Sequence, residues 1–323
     1  MQEPVKPPVG IVFDADIGNR IDSTLALALL CGFASRSEVR VVSVSVSNAN
    51  LQAAAFCEAV GNYYAGSLSS EFEGFGRALP VGLASNSATT QESSQLRLPL
   101  SRVSEEGNPL YKYSIRKLND TAEPRAVIRN ALTAQHDQNC IVVLAGPATN
   151  LASVLGLPGA AGLIAKKVRF LSLAAGIYPH GAPETSIQAD IPAARKLFAE
   201  WPASIVACGY EVGGKVLFPA SSIEHDFSGS PHHPIVDAYR AHHSMPYDAP
   251  SWAMAAVLHA VRPADYFGLS QPGTISVQND GSTRFSASPA GRHRFLLLDP
   301  SRVSHIVKAY TTIASAHPRG RQE

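Results

Sequence analysis

The stretch that decides the fold is Gly10-Ile11-Val12-Phe13-Asp14-Ala15-Asp16-Ile17-Gly18-Asn19-Arg20-Ile21-Asp22-Ser23. Its first half is apolar and predicts a buried strand, and its acids follow where that strand ends. In a parallel α/β sheet, ligands bind outside the carboxyl ends of the strands. Asp14 and Asp16 lie two residues apart, so an extended backbone points both side chains to the same side. Two acids so close repel each other unless a cation or a shared proton relieves them, and the stretch therefore predicts a functional site.

The rest of the chain alternates apolar strand segments with helical segments, which predicts an α/β fold. We expect a single large domain over residues 9–310, with short tails at 1–8 and 311–323. Its centre is a mostly parallel sheet flanked by helices. The strands that follow the first are predicted at 39–47, 140–145, 168–173 and 203–208.

Two regions depart from that alternation. Residues 273–298 predict a small antiparallel β element near the C-terminus, turning at Asn279-Asp280-Gly281. Residues 66–122 are rich in Gly, Ser, Asn and Pro, and predict a long loop region or a small excursion beside the sheet.

Composition narrows the classes of partner. The chain has 323 residues, 45% of them hydrophobic, and a formal net charge of +1. No basic run indicates a nucleic-acid partner, and no apolar run reaches the roughly 20 residues of a membrane span. The four widely spaced cysteines predict buried small side chains without a disulfide framework. The Pro-rich leader leaves the compartment open: cytoplasmic, or exported after removal of a signal peptide.

Several of these residues resemble the signature of a known protein family. The strand ending Phe13-Asp14-Ala15-Asp16-Ile17-Gly18-Asn19, followed by Asp22, resembles the N-terminal signature of the inosine-uridine preferring nucleoside hydrolase family, in its divergent bacterial branch. Further blocks follow in the family's order: Asn48, then residues 144–152, 184–194, 209–213 and 250–258.

The resemblance implies an N-ribosyl hydrolase that splits a ribonucleoside into base and ribose. It implies a calcium ion that holds a water molecule and the ribose diol. By carry-over, Asp16 is both a calcium ligand and the catalytic base, and Asp14 supports it. The implied partner is a small-molecule nucleoside or a ribose-like ligand, and the implied assembly is a homodimer or homotetramer.

The same resemblance assigns the rest of the site. Asp22, Asn48, Glu184 and Ser186 are the candidate substrate-binding residues. The backbone carbonyl of Ala145 is the candidate main-chain calcium ligand. Ser23 is a weak candidate metal ligand, since it replaces a bidentate aspartate.

Several positions depart from the family pattern. Ser23 and Ala253 replace two calcium-binding aspartates, Ser186 replaces an asparagine, and Arg20 replaces an acid. Calcium takes 6–8 oxygen ligands, and its affinity follows their charge. We therefore expect calcium to bind weakly or not at all.

No general acid is evident, because Trp252 stands where the better-studied branch has a histidine. Asp248 is a candidate for that role if the loop before it folds inward, and His180 is a candidate residue on the base side of the pocket. The pairs His232-His233 and His242-His243 read as solvated side chains, since adjacent helical residues diverge by about 100°.

Three alternatives stay open. The first is a catalytically impaired family member that binds a nucleoside or ribose-like ligand through a degraded calcium site. The second is a phosphatase of the haloacid dehalogenase type, which also begins with a strand and Asp-x-Asp. Against it, Ile17-Gly18-Asn19 follows the acids, and no later Lys and Asp-Asp pair is evident. The third concerns Asp22 alone, which could simply cap the helix that follows.

Overall fold

The N-terminal apolar stretch forms the strand β1, Val9–Ala15, at the middle of the fold. The structure is a computed structural model that describes residues 7–66, 79–84 and 93–316. Side chains of β1 alternate between the two faces of the sheet, as the two-residue period of a strand requires. Ile11 and Phe13 enter one apolar core, and Val12 enters the other. Asp14 shares the face of Val12, so the strand itself sets the direction of that acid.

The remaining strands, within the described residues, are β2 Val39–Val46, β3 Val81–Leu83, β4 Cys140–Ala145, β5 Val168–Ala174, β6 Ser204–Cys208, β7 Leu217–Phe218, β8 Ala249–Pro250, β9 Gly268–Leu269, β10 Gly273–Val277, β11 Thr283–Ala287 and β12 His293–Leu297. The described helices are α1 Ile21–Ser35, α2 Leu51–Ala65, α3 Ser94–Ser101, α4 Pro124–Thr133, α5 Thr149–Leu155, α6 Ala160–Lys167, α7 Thr185–Gln188, α8 Ile191–Glu200, α9 Tyr210–Gly213, α10 Ala220–His225, α11 Pro234–His242, α12 Trp252–Val261 and α13 Val303–Ala314.

Ten of the described strands form the central sheet, in the order β11-β10-β12-β6-β5-β4-β1-β2-β3, with β9 paired to β12. The pairs from β12 through β6, β5, β4, β1 and β2 to β3 are all parallel. Strands β7 and β8 make a separate antiparallel pair. The predicted fold class is therefore confirmed, with helices covering both faces of a mostly parallel sheet.

Helix α1 shows why this architecture forms. All of its 15 residues are buried, because α1 is apolar on every side and lies between the sheet and other helices. Its N-cap is Arg20, which makes no side-chain cap hydrogen bond. The alternative that Asp22 caps this helix is therefore wrong, since Asp22 lies within the first turn. All four cysteines are buried and free, as predicted.

The antiparallel element near the C-terminus is confirmed for β10 and β11, which pair across the predicted turn. The next strand, β12, differs from a simple hairpin continuation. It contacts β10 antiparallel at one residue pair but runs parallel to β6, and so joins the element to the central sheet.

The region predicted as loop contains a strand and a helix. β3 extends the sheet by pairing in parallel with Val44–Val46, and α3 follows it. A three-residue strand is too short to show a two-residue period, so local sequence does not reveal it. Residues 67–78 and 85–92 of that region lie outside the described residues, as do 1–6 and 317–323 of the predicted tails. The domain bounds 9–310 stay a prediction, and α13 runs to Ala314.

No helix in the described ranges is both long enough and apolar enough to cross a membrane.

Candidate active site

The central acid of the site is Asp14, which the parallel register places between β2 and β4. Its Oδ1 accepts hydrogen bonds from the Ser45 hydroxyl and from the Asn150 amide, both at 2.9 Å. Its Oδ2 is buried and has no hydrogen-bond partner among the described residues. Burial raises the pKa of Asp14 to about 7, against the two hydrogen bonds, and the charge of Asp16 adds to the rise. Near neutral pH this carboxyl therefore exchanges between its neutral and charged forms.

Asp16 lies just beyond the strand and is partly exposed. Its backbone N–H donates to the Ala145 carbonyl at 3.1 Å, which ties it to the end of β4. Its Oδ1 accepts from the Asn48 amide at 2.7 Å, and its Oδ2 accepts from the Asn19 amide. Two amides thus hold the Asp16 carboxylate from both sides.

Asn48 follows β2 and is buried. Besides Asp16, its amide nitrogen donates to the Ile17 carbonyl at 2.9 Å, and its oxygen accepts from the Asn50 N–H at 3.1 Å. Both amide hydrogens therefore go to protein oxygens. In this conformation Asn48 positions Asp16, and its predicted contact with a sugar stays a prediction.

Asp22 lies in the first turn of α1 and is buried. Its Oδ2 accepts from the Ala253 N–H at 3.0 Å, and its Oδ1 lies 3.6 Å from Arg20 Nε. Burial raises the pKa of Asp22, while the Arg20 guanidinium and the Ala253 N–H oppose that rise.

Glu184 is the N-cap of the short helix α7, and it accepts from the backbone N–H groups of Ser186 and Ile187. The Gly176 N–H also points at its carboxylate, at 3.4 Å. These bonds fix a carboxylate where β5 ends. Ser186 lies beside it, and its hydroxyl oxygen accepts from Arg20 Nη2 at 3.2 Å.

Arg20 connects these residues, although its place in the sequence indicated only a departure from the family pattern. Besides its contacts with Ser186 and Asp22, its Nη1 lies 3.8 Å from Glu184 Oε1. Its guanidinium carbon lies 5.4 Å from the centre of the Trp252 ring. The signal that could have pointed to this role is a basic residue inside an acidic signature.

A narrow cleft with about 200 Å³ of empty space opens beside these groups. It is lined by Arg20, Ala174, Ala175, Gly176, Glu184, Cys208, Tyr210 and Trp252. Tyr210 stacks on Trp252 at 5.1 Å between ring centres, and 54% of Tyr210 is exposed. The Arg20 side chain forms part of the wall of this narrow cleft. Asp14, Asp16, Asp22 and Asn48 do not line this cleft; Arg20 links it to Asp22.

Glu211 is a further acid beside the cleft that the sequence analysis did not assign. Its Oε2 accepts from the Tyr178 N–H at 3.2 Å, and its Oε1 is buried without a hydrogen-bond partner in the described part of the chain. Burial raises the pKa of Glu211. The sequence feature that could have indicated Glu211 is its position in the family block Gly209–Gly213, directly after Tyr210.

Neither the candidate general acid Asp248 nor the candidate base-side residue His180 is among the residues that line the cleft. Asp248 is exposed and its Oδ1 accepts from the Ala220 N–H at 2.8 Å, at the start of α10. His180 is exposed, and its backbone bridges to Arg284 in β11.

The residues present do not fit calcium. Ser23 donates its hydroxyl toward the Ala145 carbonyl at 3.4 Å, so the two candidate ligands contact each other. Ala253 offers no side-chain oxygen, and its N–H donates to Asp22 instead. No cluster of three or more His, Cys, Asp or Glu side chains with metal-binding geometry occurs in the described ranges. With two carboxylates replaced, the site lacks the ligand charge that tight calcium binding requires.

Comparison with known proteins agrees with this geometry. The sequence profile described as "Inosine-uridine preferring nucleoside hydrolase" matches residues 11–295. The chain belongs to this family. No match is found among curated proteins.

Solved structures share the fold of this nucleoside hydrolase family member. A plant nucleoside hydrolase, PpNRh1, superposes with a TM-score of 0.66 at 21% identity, over 95% of this chain and 99% of the other. The purine-preferring ribonucleoside hydrolase from Gardnerella vaginalis gives 0.68 at 16% identity, over 95% and 98%. The type III effector XopQ, solved with adenosine diphosphate ribose, gives 0.67 at 13% identity, over 97% and 96%.

Proposed function

We propose that this chain hydrolyses the N-glycosidic bond of ribonucleosides, with Asp16 as the general base. The observation that carries the proposal is the Asp16 carboxylate, held by the amides of Asn48 and Asn19 beside the buried Asp14. A carboxylate fixed in this way is placed to take a proton from an attacking water molecule. Cleavage develops positive charge on the ribosyl group, which neighbouring acids stabilise.

The groups around Arg20, together with the cleft beside them, provide the remaining contacts in this proposal. Asp22, Glu184 and Ser186 meet around one arginine, as a site for sugar hydroxyls requires. Tyr210 presents an exposed ring at the cleft, and aromatic rings stack well on the flat face of a nucleobase. We therefore assign the ribose to the side of Glu184 and the base to the side of Tyr210.

A second candidate function is nucleoside binding without hydrolysis. It is favoured by Ser23 and Ala253, which leave the expected calcium ligands incomplete. Without a metal ion, water activation depends on Asp16 alone. Because XopQ was solved with adenosine diphosphate ribose, larger ribose-containing ligands belong in the test.

The experiment incubates the purified protein with inosine, guanosine, adenosine, uridine and cytidine, and measures free base by liquid chromatography. Isothermal titration with the same compounds and with adenosine diphosphate ribose measures binding. Release of base supports the hydrolase, and binding without release supports the second candidate. Absence of both overturns the proposal.

A matched control is Asp137→Asn. Asp137 is an exposed acid just before β4 and pairs with Lys167. It lies at the amino ends of the parallel strands, whereas Asp16 lies at their carboxyl ends. This variant should behave as the wild type in both assays. The homodimer or homotetramer stays a prediction, which light scattering after gel filtration tests.

A further inference from the structure

The position of Arg20 calls for an explanation. It is the N-cap of α1, where the helix dipole disfavours a positive charge. Its side chain is nevertheless 69% buried, since only 31% of it is exposed. What holds it there are two carboxylates, the Ser186 hydroxyl and the face of the Trp252 ring.

The partners of Arg20 are the candidate sugar-binding groups. Asp22 and Glu184 are both buried, and an isolated buried carboxylate is costly unless a cation lies close. The guanidinium lies within 4 Å of both, at 3.6 and 3.8 Å. One side chain thus gives both acids a positive neighbour.

The chain also has fewer residues that could hold a divalent cation at this place. Ser23 and Ala253 stand where carboxylates are expected, and the Asp22 carboxylate faces the Ala253 N–H and Arg20. The Arg20 guanidinium, a cation that is part of the chain, therefore lies beside the place where the family pattern predicts a bound calcium ion.

The contacts of Arg20 leave it able to meet a ligand. Charge-assisted N–H to carboxylate bonds are usually about 2.7–2.9 Å long. The distances from Arg20 to Asp22 and Glu184 are 3.6 and 3.8 Å, beyond direct hydrogen bonds. Of the five N–H donors of a guanidinium, one reaches Ser186 in the described structure. Donors of this kind suit the hydroxyl oxygens of a pentose.

We infer that Arg20 is the resident cation of this site. It neutralises Asp22 and Glu184 in place of a bound calcium ion and contacts the pentose of the ligand, so the site binds its ligand without a divalent metal. The inference rests on the proposed function for the identity of the ligand, and on the geometry alone for the absence of a calcium requirement.

The first test follows the melting temperature of the whole protein with calcium chloride, with the chelator EDTA, and with potassium chloride at equal ionic strength. The wild-type melting temperature should be the same in all three. Arg20→Gln should melt at a lower temperature, because two buried acids lose their cation. Millimolar calcium should then stabilise Arg20→Gln, with a rise of about 2 °C when calcium exceeds its Kd about tenfold. Arg20→Lys, which keeps the charge, should not respond to calcium.

The matched control is Arg36→Gln at the other end of α1. Arg36 donates to the Thr312 carbonyl and pairs with no acid in the described residues. Its melting temperature should not respond to calcium. A wild-type protein that binds calcium at micromolar concentration, or that EDTA destabilises, overturns the inference. An Arg20→Gln variant that melts like the wild type and ignores calcium also overturns it. Should Arg20→Gln fail to fold, the wild-type and Arg20→Lys results still decide.

The ligand arm uses inosine. The wild type should bind inosine equally with EDTA and with calcium, and Arg20→Gln should bind it at least tenfold more weakly. Inosine binding that requires calcium refutes the inference. If the melting results hold but no nucleoside binds, the proposed function fails while the resident cation stands, so the two failures are distinguishable.

Discussion

Replacing Asp16 by asparagine separates chemistry from structure at this site. Asp16 accepts from the amides of Asn48 and Asn19, one on each oxygen. Asparagine keeps one oxygen and replaces the other by an amide that donates. Asn48 cannot rotate at low cost, since its nitrogen also donates to Ile17 and its oxygen accepts from Asn50. The oxygen of the new side chain must therefore face Asn48.

The amide nitrogen of the new asparagine then faces the Asn19 amide nitrogen, and both groups donate. Asn19 is exposed, so its amide can rotate and offer its oxygen to the new donor. The change then exchanges one hydrogen bond for another, and we expect it to alter the free energy of unfolding by less than about 1 kcal/mol. Loss of the general base, in contrast, should lower kcat by roughly 10²–10⁴-fold.

The assay measures free base released from the nucleoside that the wild type cleaves fastest, with the melting temperature recorded in parallel. Asp16→Asn should melt within about 2 °C of the wild type and should show no burst of product. A variant that keeps more than a tenth of wild-type kcat refutes the role of Asp16 as base. A variant that loses activity together with several degrees of melting temperature refutes the reasoning from the two amides.

Two further changes test the surroundings of Asp16, and a third tests a buried histidine elsewhere in the fold. In Gly146→Ala the new methyl group would lie 2.9 Å from the Asp16 backbone nitrogen, and we expect the resulting shift of Asp16 to lower kcat about tenfold or more. Gly162→Ala, whose new methyl group meets no described heavy atom within 4 Å apart from its chain neighbours and its own helix backbone, should not alter the rate. Asn48→Ala removes the donors to Asp16 and Ile17; it should cost about 1–3 kcal/mol in chemical denaturation and lower kcat with little effect on KM, and unchanged kinetics would contradict the positioning role. Burial lowers the pKa of His259 from 6.5 to about 4, so the unfolded chain takes up a proton that the folded chain excludes. This difference in proton uptake lowers the free energy of unfolding by about 3 kcal/mol as the pH falls from 6.5 to about 4. Above pH 6.5 the loss is absent. His259→Gln should lose less stability than the wild type in urea unfolding between neutral pH and pH 4, with the exposed His136→Gln as control, and equal acid losses would refute the assignment.

The sequence carried enough information to predict the centre of the fold and the place of the first acids. An apolar run that ends in acids predicts a buried strand with a site at its end, because the run needs burial and the acids have no packing role beside it. The alternation of strands and helices then leads to a parallel sheet. Both inferences use periods of two to four residues, which local sequence shows directly.

The partners of those acids were harder to predict. Asn150 donates to Asp14 from α5, and Asn19 donates to Asp16 from the loop, yet both belong to segments that the resemblance covered without assigning them. Side-chain direction decides such contacts, and spacing alone does not give it. Spacing alone also suggested the candidate general acid Asp248 and the candidate base-side residue His180, and both are exposed and absent from the residues that line the cleft.

The role of Arg20 could not be predicted from local sequence, because its partners lie in segments far apart along the chain. Its hydrogen bond to Ser186 spans 166 residues, and its ring partner Trp252 belongs to a third segment. Viewed singly, Ser23, Ala253 and Arg20 read as three losses at a metal site. Viewed together, they describe one change: fewer carboxylates at the centre, and a cation from the chain for the acids that remain. A guanidinium stays charged throughout the physiological pH range and cannot dissociate from the protein. The charge at this site should therefore be independent of calcium concentration, whereas a bound metal ion can dissociate when calcium is scarce.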